Sequence, residues 1–179
     1  NEDTTPLNSR LPYAVVKNVG ESYFKSYFQE FGLDYTIFRF FNTYGPNQST
    51  DFVMSKFIRA ALKNEDITIY GDGSQTRTFC YIDDNTEACL NAMKDKDSVN
   101  EVFNIGSDSI LTIKELALEV IRLTNSNSTI IHLPALEDGD MTRRQPDIGK
   151  MKQLLNRNLV PLEKGILNVI EAIKTTSIY

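Results

Sequence analysis

Tyr35-Thr36-Ile37-Phe38-Arg39-Phe40-Phe41, running directly into Asn42-Thr43-Tyr44-Gly45-Pro46-Asn47, is the stretch on which the fold turns. Its first seven residues are β-branched or aromatic almost throughout, the composition of a buried strand. The next six are turn formers, so the strand ends in a loop. Upstream, Val15, Val16, Val19, Tyr23, Tyr27, Phe28 and Phe31 recur at helical spacing, and Gly32 stops the pattern. A helix, a short connection and a buried strand in that order are half of a βαβ unit.

The same alternation continues downstream. Phe52 to Lys63 reads as a helix, and Ile67-Thr68-Ile69-Tyr70 as a short strand stopped by Gly71-Asp72-Gly73. Phe79 to Ile82 reads as extended, Asp84 to Lys94 as a helix capped by Asp84, and Val102-Phe103-Asn104-Ile105 as a strand. Thr112 with Glu115 forms a capping-box pattern opening a helix to about Thr124. Ile130 to Leu133 is a further strand, and Ile148 to Leu155 and Leu162 to Lys174 are two short helices. The expected class is therefore α/β, with neither repeats nor low-complexity tracts.

Composition narrows the function classes. With 179 residues, 41% hydrophobic and 24% charged, the chain can bury one ordinary core. A net charge of −5 argues against a nucleic-acid backbone as partner, which needs a basic face. A small anion needs only a few local arginines. No apolar run reaches the roughly 18 residues of a membrane span. Cys80 and Cys89 have no close Cys or His partner, so neither a metal site nor a disulfide framework is expected, and a reducing cytoplasm is the default.

Tyr13 and Lys17 lie four apart at the start of the first helix, on one face. An ammonium beside a phenol favours the phenolate, which makes a tyrosine usable as a proton shuttle near neutral pH. The same spacing also arises often by chance between two surface residues. Arg77, in a Gly-rich segment, offers a planar fork suited to a diphosphate, or is a solvated arginine. His132, between Ile131 and Leu133, reads as a packed or surface residue, and Asp83 and Asp84 are assigned no acid–base role.

Four motifs in one order give these residues a context. Tyr13-to-Lys17 with Asn42-Thr43-Tyr44-Gly45-Pro46, Ile69-Tyr70-Gly71-Asp72-Gly73-Ser74-Gln75-Thr76-Arg77-Thr78-Phe79 with Tyr81-Ile82-Asp83-Asp84, Val102 to Gly106, and Arg143-Arg144-Gln145-Pro146-Asp147-Ile148 together resemble the extended short-chain dehydrogenase/reductase family. The resemblance spans nearly the whole chain. It implies an NAD(P)-dependent enzyme that oxidises a nucleoside-diphosphate sugar transiently at C4, as epimerase, dehydratase or UDP-glucuronate decarboxylase. Tyr13 is implied as base with Lys17 as its partner, both also touching the cofactor. Phe40 is implied beside the nicotinamide, and Asn42, Tyr70, Arg77, Asn104, Arg143 and Arg144 at the UDP-sugar. A loop after the carboxyl end of a parallel strand is also where such sheets bind ligands on general grounds.

The resemblance further implies the C-terminal portion of a Rossmann-type sheet plus a smaller α/β substrate-binding domain. Residues 1–45 would supply the last helix and strand of the dinucleotide domain. Residues 46–179 would form mainly the substrate domain, with about 79–106 returning to the sheet. Aromatics at several angles of the first helix, among them Tyr23, Phe24, Tyr27 and Phe28, exceed one buried face. The resemblance implies that the intact protein pairs through this helix as a homodimer; the alternative for these aromatics is burial against the sheet and helices upstream. The alternative is a catalytically inactive relative that senses a dinucleotide or binds a protein.

Only twelve residues precede Tyr13, so the Gly-rich pyrophosphate turn and the catalytic Ser or Thr of such enzymes are not in this sequence. The expectation is a fragment without a dinucleotide site of its own. Calorimetry with NAD should show no tight binding to the isolated chain, and a micromolar or stronger isotherm would contradict the expectation.

Overall fold

The computed structural model describes residues 12–135 and 145–176. In chain order the elements are α1 (Pro12–Phe31), β1 (Ile37–Phe40), β2 (Thr43–Tyr44), α2 (Val53–Leu62), β3 (Ile67–Tyr70), β4 (Thr76–Thr78), β5 (Cys80–Tyr81) and α3 (Ile82–Lys94). A 3₁₀ turn at Lys96–Ser98 follows, then β6 (Val102–Ile105), β7 (Ile110–Thr112), α4 (Ile113–Thr124), β8 (Ile130–Leu133), α5 (Gly149–Leu155) and α6 (Leu162–Thr176). The fold is mixed α/β with three parallel strand pairs, β1 with β6, β2 with β5 and β3 with β8, and one antiparallel pair, β4 with β7.

Two hydrophobic clusters organise these elements. The larger is built on α2, β3, α4 and α6. Met54, Phe57, Ile58 and Ala61 form one helical stripe of α2, and Ile67 and Ile69 point inward from β3 while Thr68 and Tyr70 point out. The smaller cluster joins β1 and β6 to α3 and α5 through Phe103, Ile105, Ala88, Met151 and Leu155, with Phe38 packed against it. Residues 148–155 thus join the same core as β1, alongside the 80–105 segment. Parallel pairs require long crossovers, and here the crossover from β1 to β6 carries α2, β3 and β4 on the way out and α3 on the return.

Local signals explain the element ends. The Thr112 hydroxyl accepts from the Glu115 N–H at 3.1 Å, and the Glu115 carboxylate accepts from the Thr112 N–H at 2.7 Å. These contacts hold the Glu115 carboxyl below its usual range, the Thr112 backbone N–H contributing most. Helix α4 then ends at Asn125 in left-handed backbone, φ 51°.

Asp84 departs from expectation. It does not cap α3; the helix begins at Ile82, with Tyr81 at the cap position. The Asp84 carboxylate is buried and receives Arg157 at 2.7 Å and the Val160 N–H at 2.9 Å. Arg157 also forks onto Glu87 at 2.6 and 3.1 Å, which holds the Glu87 carboxyl below its usual range. A buried carboxylate needs such donors, so the residue ties α3 to the segment entering α6. The short strands β2, β4 and β7 were also outside the sequence expectation. Among the described residues no helix is long and apolar enough to cross a membrane.

Arg157→Met should therefore cost roughly 2–3 kcal/mol in urea unfolding, somewhat less than the ~3–5 of a fully buried broken pair because its side chain is 34% exposed. Arg122→Met, which loses only the exposed pairs to Glu119 and Glu163, should cost much less than Arg157→Met. Equal losses in the two variants would mean that Val160 alone satisfies Asp84.

Candidate active site

The end of β1 decides where a cleft can form. Phe41 continues the parallel ladder by donating its N–H to Ile105 O at 2.9 Å. Asn42 then takes left-handed backbone, φ 41°, which asparagine tolerates better than most residues. Its carbonyl accepts from Cys80 N at 3.2 Å, and its side-chain amide donates to Thr78 O at 2.9 Å. Asn42 is thus a turn residue and also a clip that draws the β4–β5 junction to the strand end.

That clip brings three separate segments together. Asn42, Tyr70 at the end of β3, and Arg77 in β4 line one cleft of about 210 Å³. Val53 and Phe57 of α2, Phe79 and Ile113 give it an apolar wall, and Thr68 and Gln75 add polar groups. Gln75 donates its amide to Tyr70 O at 3.1 Å, fixing the turn between β3 and β4. Arg77 is half-buried and donates to Thr76 O at 2.8 Å. Val53 and Phe57 were not singled out in the sequence, where residues 52–63 read only as a helix. Their stripe is wide enough to serve both core and cleft.

The remaining candidates lie elsewhere. Tyr13 and Lys17 sit on α1, with the ammonium 5.3 Å from the centre of the Tyr13 ring and Tyr13 74% exposed. Phe40 lines a different cavity of about 550 Å³, with Thr43, Ile82, Asn85, Thr86, Cys89 and Leu90. Asn104 stands opposite Arg39 in the β1–β6 register and donates its amide to Asp147 O at 3.0 Å. It therefore fastens the segment that follows Arg143 and Arg144, which lie outside the described residues. His132 is exposed, and its Nδ1 is 2.8 Å from Gly71 O, bracing the turn after β3.

A cleft at the carboxyl ends of β1 and β3, both parallel-paired strands, is the arrangement of Rossmann-type α/β proteins, which bind ligands at such strand ends. Comparison with known proteins is consistent with that class and narrows it. Residues 1–106 match the model of the NAD dependent epimerase/dehydratase family, and the chain belongs to that family. It is 38% identical over 172 residues to UDP-N-acetyl-alpha-D-glucosaminuronate decarboxylase of Bacillus cytotoxicus, covering 90% of this chain and 53% of that protein. UDP-glucuronic acid decarboxylase 1 of Danio rerio is 36% identical, covering 96% of this chain and 42% of the relative. Among solved structures, UDP-glucose 4-epimerase of Thermotoga maritima with UDP-glucose superposes with a TM-score of 0.86 at 32% identity, covering 93% of this chain and 54% of that one. UDP-glucuronic acid 4-epimerase of Bacillus cereus, in complex with UDP-glucuronic acid and NAD, gives 0.83 at 31% identity over 92% and 53%. The chain spans about half the length of the relatives it matches.

The two thiols differ in a way that tests the packing behind the site. Burial, with a smaller push from Asp84, takes the Cys80 thiol up to about 12. Cys89, half-buried beside Phe40, is raised by burial alone. At pH 8 a thiol reagent should label Cys89 first and leave Cys80 unmodified until the chain is unfolded. Equal labelling rates in the folded chain would show that Cys80 is not enclosed by β2, α3 and α5.

Proposed function

We propose that the chain forms the substrate-holding part of an NAD-dependent enzyme that modifies a UDP-linked sugar through transient oxidation at C4, as an epimerase, dehydratase or decarboxylase. The observation that carries this reading is the convergence of Asn42, Tyr70 and Arg77 on one cleft from three separate segments. An arginine fork recognises a diphosphate, and a tyrosine ring beside apolar walls suits a planar base. The relatives named above act on UDP-sugars by their names, and the Bacillus cereus structure holds NAD with the sugar nucleotide.

Proton transfer falls to α1. Tyr13 takes the proton of the sugar hydroxyl, and Lys17 lies one turn along the same face with its ammonium over the Tyr13 ring. NAD, when bound, supplies the acceptor for the sugar's hydride. The residues present fit one end of that cofactor: Tyr13 and Lys17 toward its ribose, and the exposed Phe40 beside an apolar cavity toward its nicotinamide. No Gly-x-Gly-x-x-Gly turn occurs in the sequence to receive the pyrophosphate. Arg143, Arg144 and Asn104 serve the nucleotide in this reading, Asn104 by fastening the Asp147 segment. Tyr23, Phe24, Tyr27 and Phe28, all exposed on α1, pair the intact protein with a second copy. Two free cysteines suit a cytoplasmic setting, and the negative net charge leaves nucleic acid out.

Two measurements test the proposal. UDP titrated into the chain should bind at the cleft, and Arg77→Ala should weaken it about 10- to 100-fold, the worth of charge-assisted hydrogen bonds. In the whole protein supplied with NAD and UDP-sugars, Tyr13→Phe should lower kcat by roughly 10²-fold or more while UDP affinity holds. An absence of turnover with every UDP-sugar in the unmodified protein would favour a dinucleotide-sensing or protein-binding relative instead.

A further inference from the structure

Helix α1 carries the proton shuttle, yet none of its described side chains is buried. Side-chain contacts at two points fasten it to β1 and the residues leading into it. Near its carboxyl end, the Phe28 ring meets Tyr35 edge-on with centroids 6.1 Å apart. At its middle, Glu21 receives both arms of the Arg39 guanidinium, Nε at 2.7 Å and the terminal nitrogen at 2.5 Å. Glu21 follows Tyr13 and Lys17 at successive steps of four, so the three share one stripe of the helix. Its side chain is only 18% exposed, against 47% for Arg39. Arg39 in turn precedes Phe40 and Asn42 on β1 and its exit turn.

We infer that the Glu21–Arg39 fork is a positioning pair that sets the height and rotation of α1 on β1, and so places the Tyr13 hydroxyl against the substrate. This rests on the reading of Tyr13 and Lys17 as the shuttle. The pair touches neither substrate nor cofactor; it acts through α1. Its leverage follows from helix geometry. At 1.5 Å per residue, Tyr13 lies roughly 22 Å along the axis from Phe28, so a tilt of about 3° about the Phe28–Tyr35 contact moves it by about 1 Å. A displacement of that size at a reacting group costs on the order of 10²-fold in rate. A bidentate fork constrains both distance and rotation, which a lysine's point charge does not. Arg39 holds the Glu21 carboxyl below its usual range, chiefly by the hydrogen bond itself, so the fork stays charged throughout the neutral range.

The experiment compares Arg39→Gln, Glu21→Gln, Arg39→Lys and the reversed pair Glu21→Arg with Arg39→Glu in the whole protein. Each single loss should lower kcat roughly 10- to 100-fold while KM, UDP affinity and the melting temperature stay near those of the parent. Arg39→Lys should recover part of the loss and the reversed pair most of it. Unchanged kcat in the single variants, or a folded reversed pair no better than they are, overturns the inference. A loss of kcat that simply follows a loss of UDP binding or of melting temperature also overturns it. Amide hydrogen exchange in the isolated chain decides the matter without turnover: Arg39→Gln should speed exchange over residues 13–24 about tenfold relative to α2 and α4. No change there overturns the pair as a clamp. Should the unmodified whole protein turn over no UDP-sugar, the functional reading fails and exchange alone judges the clamp.

Discussion

The parallel register of β1 with β6, Ile37 beside Val102 through Phe40 beside Ile105, is the constraint from which the cleft follows. Parallel neighbours cannot be joined by a hairpin, so the chain must leave the sheet and return. The excursion builds the larger core, and the return through β5 beside β2 fixes where the excursion ends. Asn42 sits at the point of departure and hydrogen-bonds Thr78 and Cys80 at the point of return. Arg77 therefore arrives at the cleft because a strand pair distant in sequence is in register. Slipping that register by one residue would turn Ile37 and Phe38 to opposite faces and carry the clip away from its carbonyl.

The buried polar groups reinforce the same joint. Asp84 is enclosed in the first turn of α3, and its two donors come from Arg157 and Val160, on the far side of α5. Asn91 donates to Leu154 O at 2.9 Å along the same seam. Tyr44, buried between Phe79 and Tyr81, reaches Leu162 O at 3.3 Å, and Gly165 leaves room for its hydroxyl where a Cβ would lie 2.0 Å away. Asp84 thereby reaches Val160 at the edge of the larger cluster, Asn91 ties α3 to α5 within the smaller one, and Tyr44 ties β2 to α6 within the larger. Such ties limit the reorganisation a ligand must impose.

Much of this was legible in the sequence where a local signal is strong. Ile67–Tyr70, Val102–Ile105 and Ile130–Leu133 coincide with the strands expected from β-branched runs, and the Thr112–Glu115 box marks the start of α4. Thr76-Arg77-Thr78 and Ile110-Leu111-Thr112 were not legible as strands, because three residues carry no period and their pairing is a tertiary fact. Asp84 misled because an acidic residue before a helical run looks like a cap, whereas its partners lie at residues 157 and 160. The grouping of Asn42, Tyr70 and Arg77 was implied by resemblance alone. Nothing in their spacing places them on one cleft.

Support for the two halves of the site is unequal, and this separates stability from rate. The cleft's walls belong to the larger cluster, where Phe57, Ile69 and Ile113 are buried, so a change there disturbs folding and binding together. Among the described residues, helix α1 contributes no buried side chain, and its fork to β1 is largely solvent-exposed on the Arg39 side. An exposed ion pair adds little to global stability even when its geometry is good. The same pair ties the middle of α1 to β1, ahead of the Phe28–Tyr35 contact. A fork with little burial around it fixes a direction while adding little to global stability. Tyr13 and Lys17 are thus held by geometry, and Asn42, Tyr70 and Arg77 by packing.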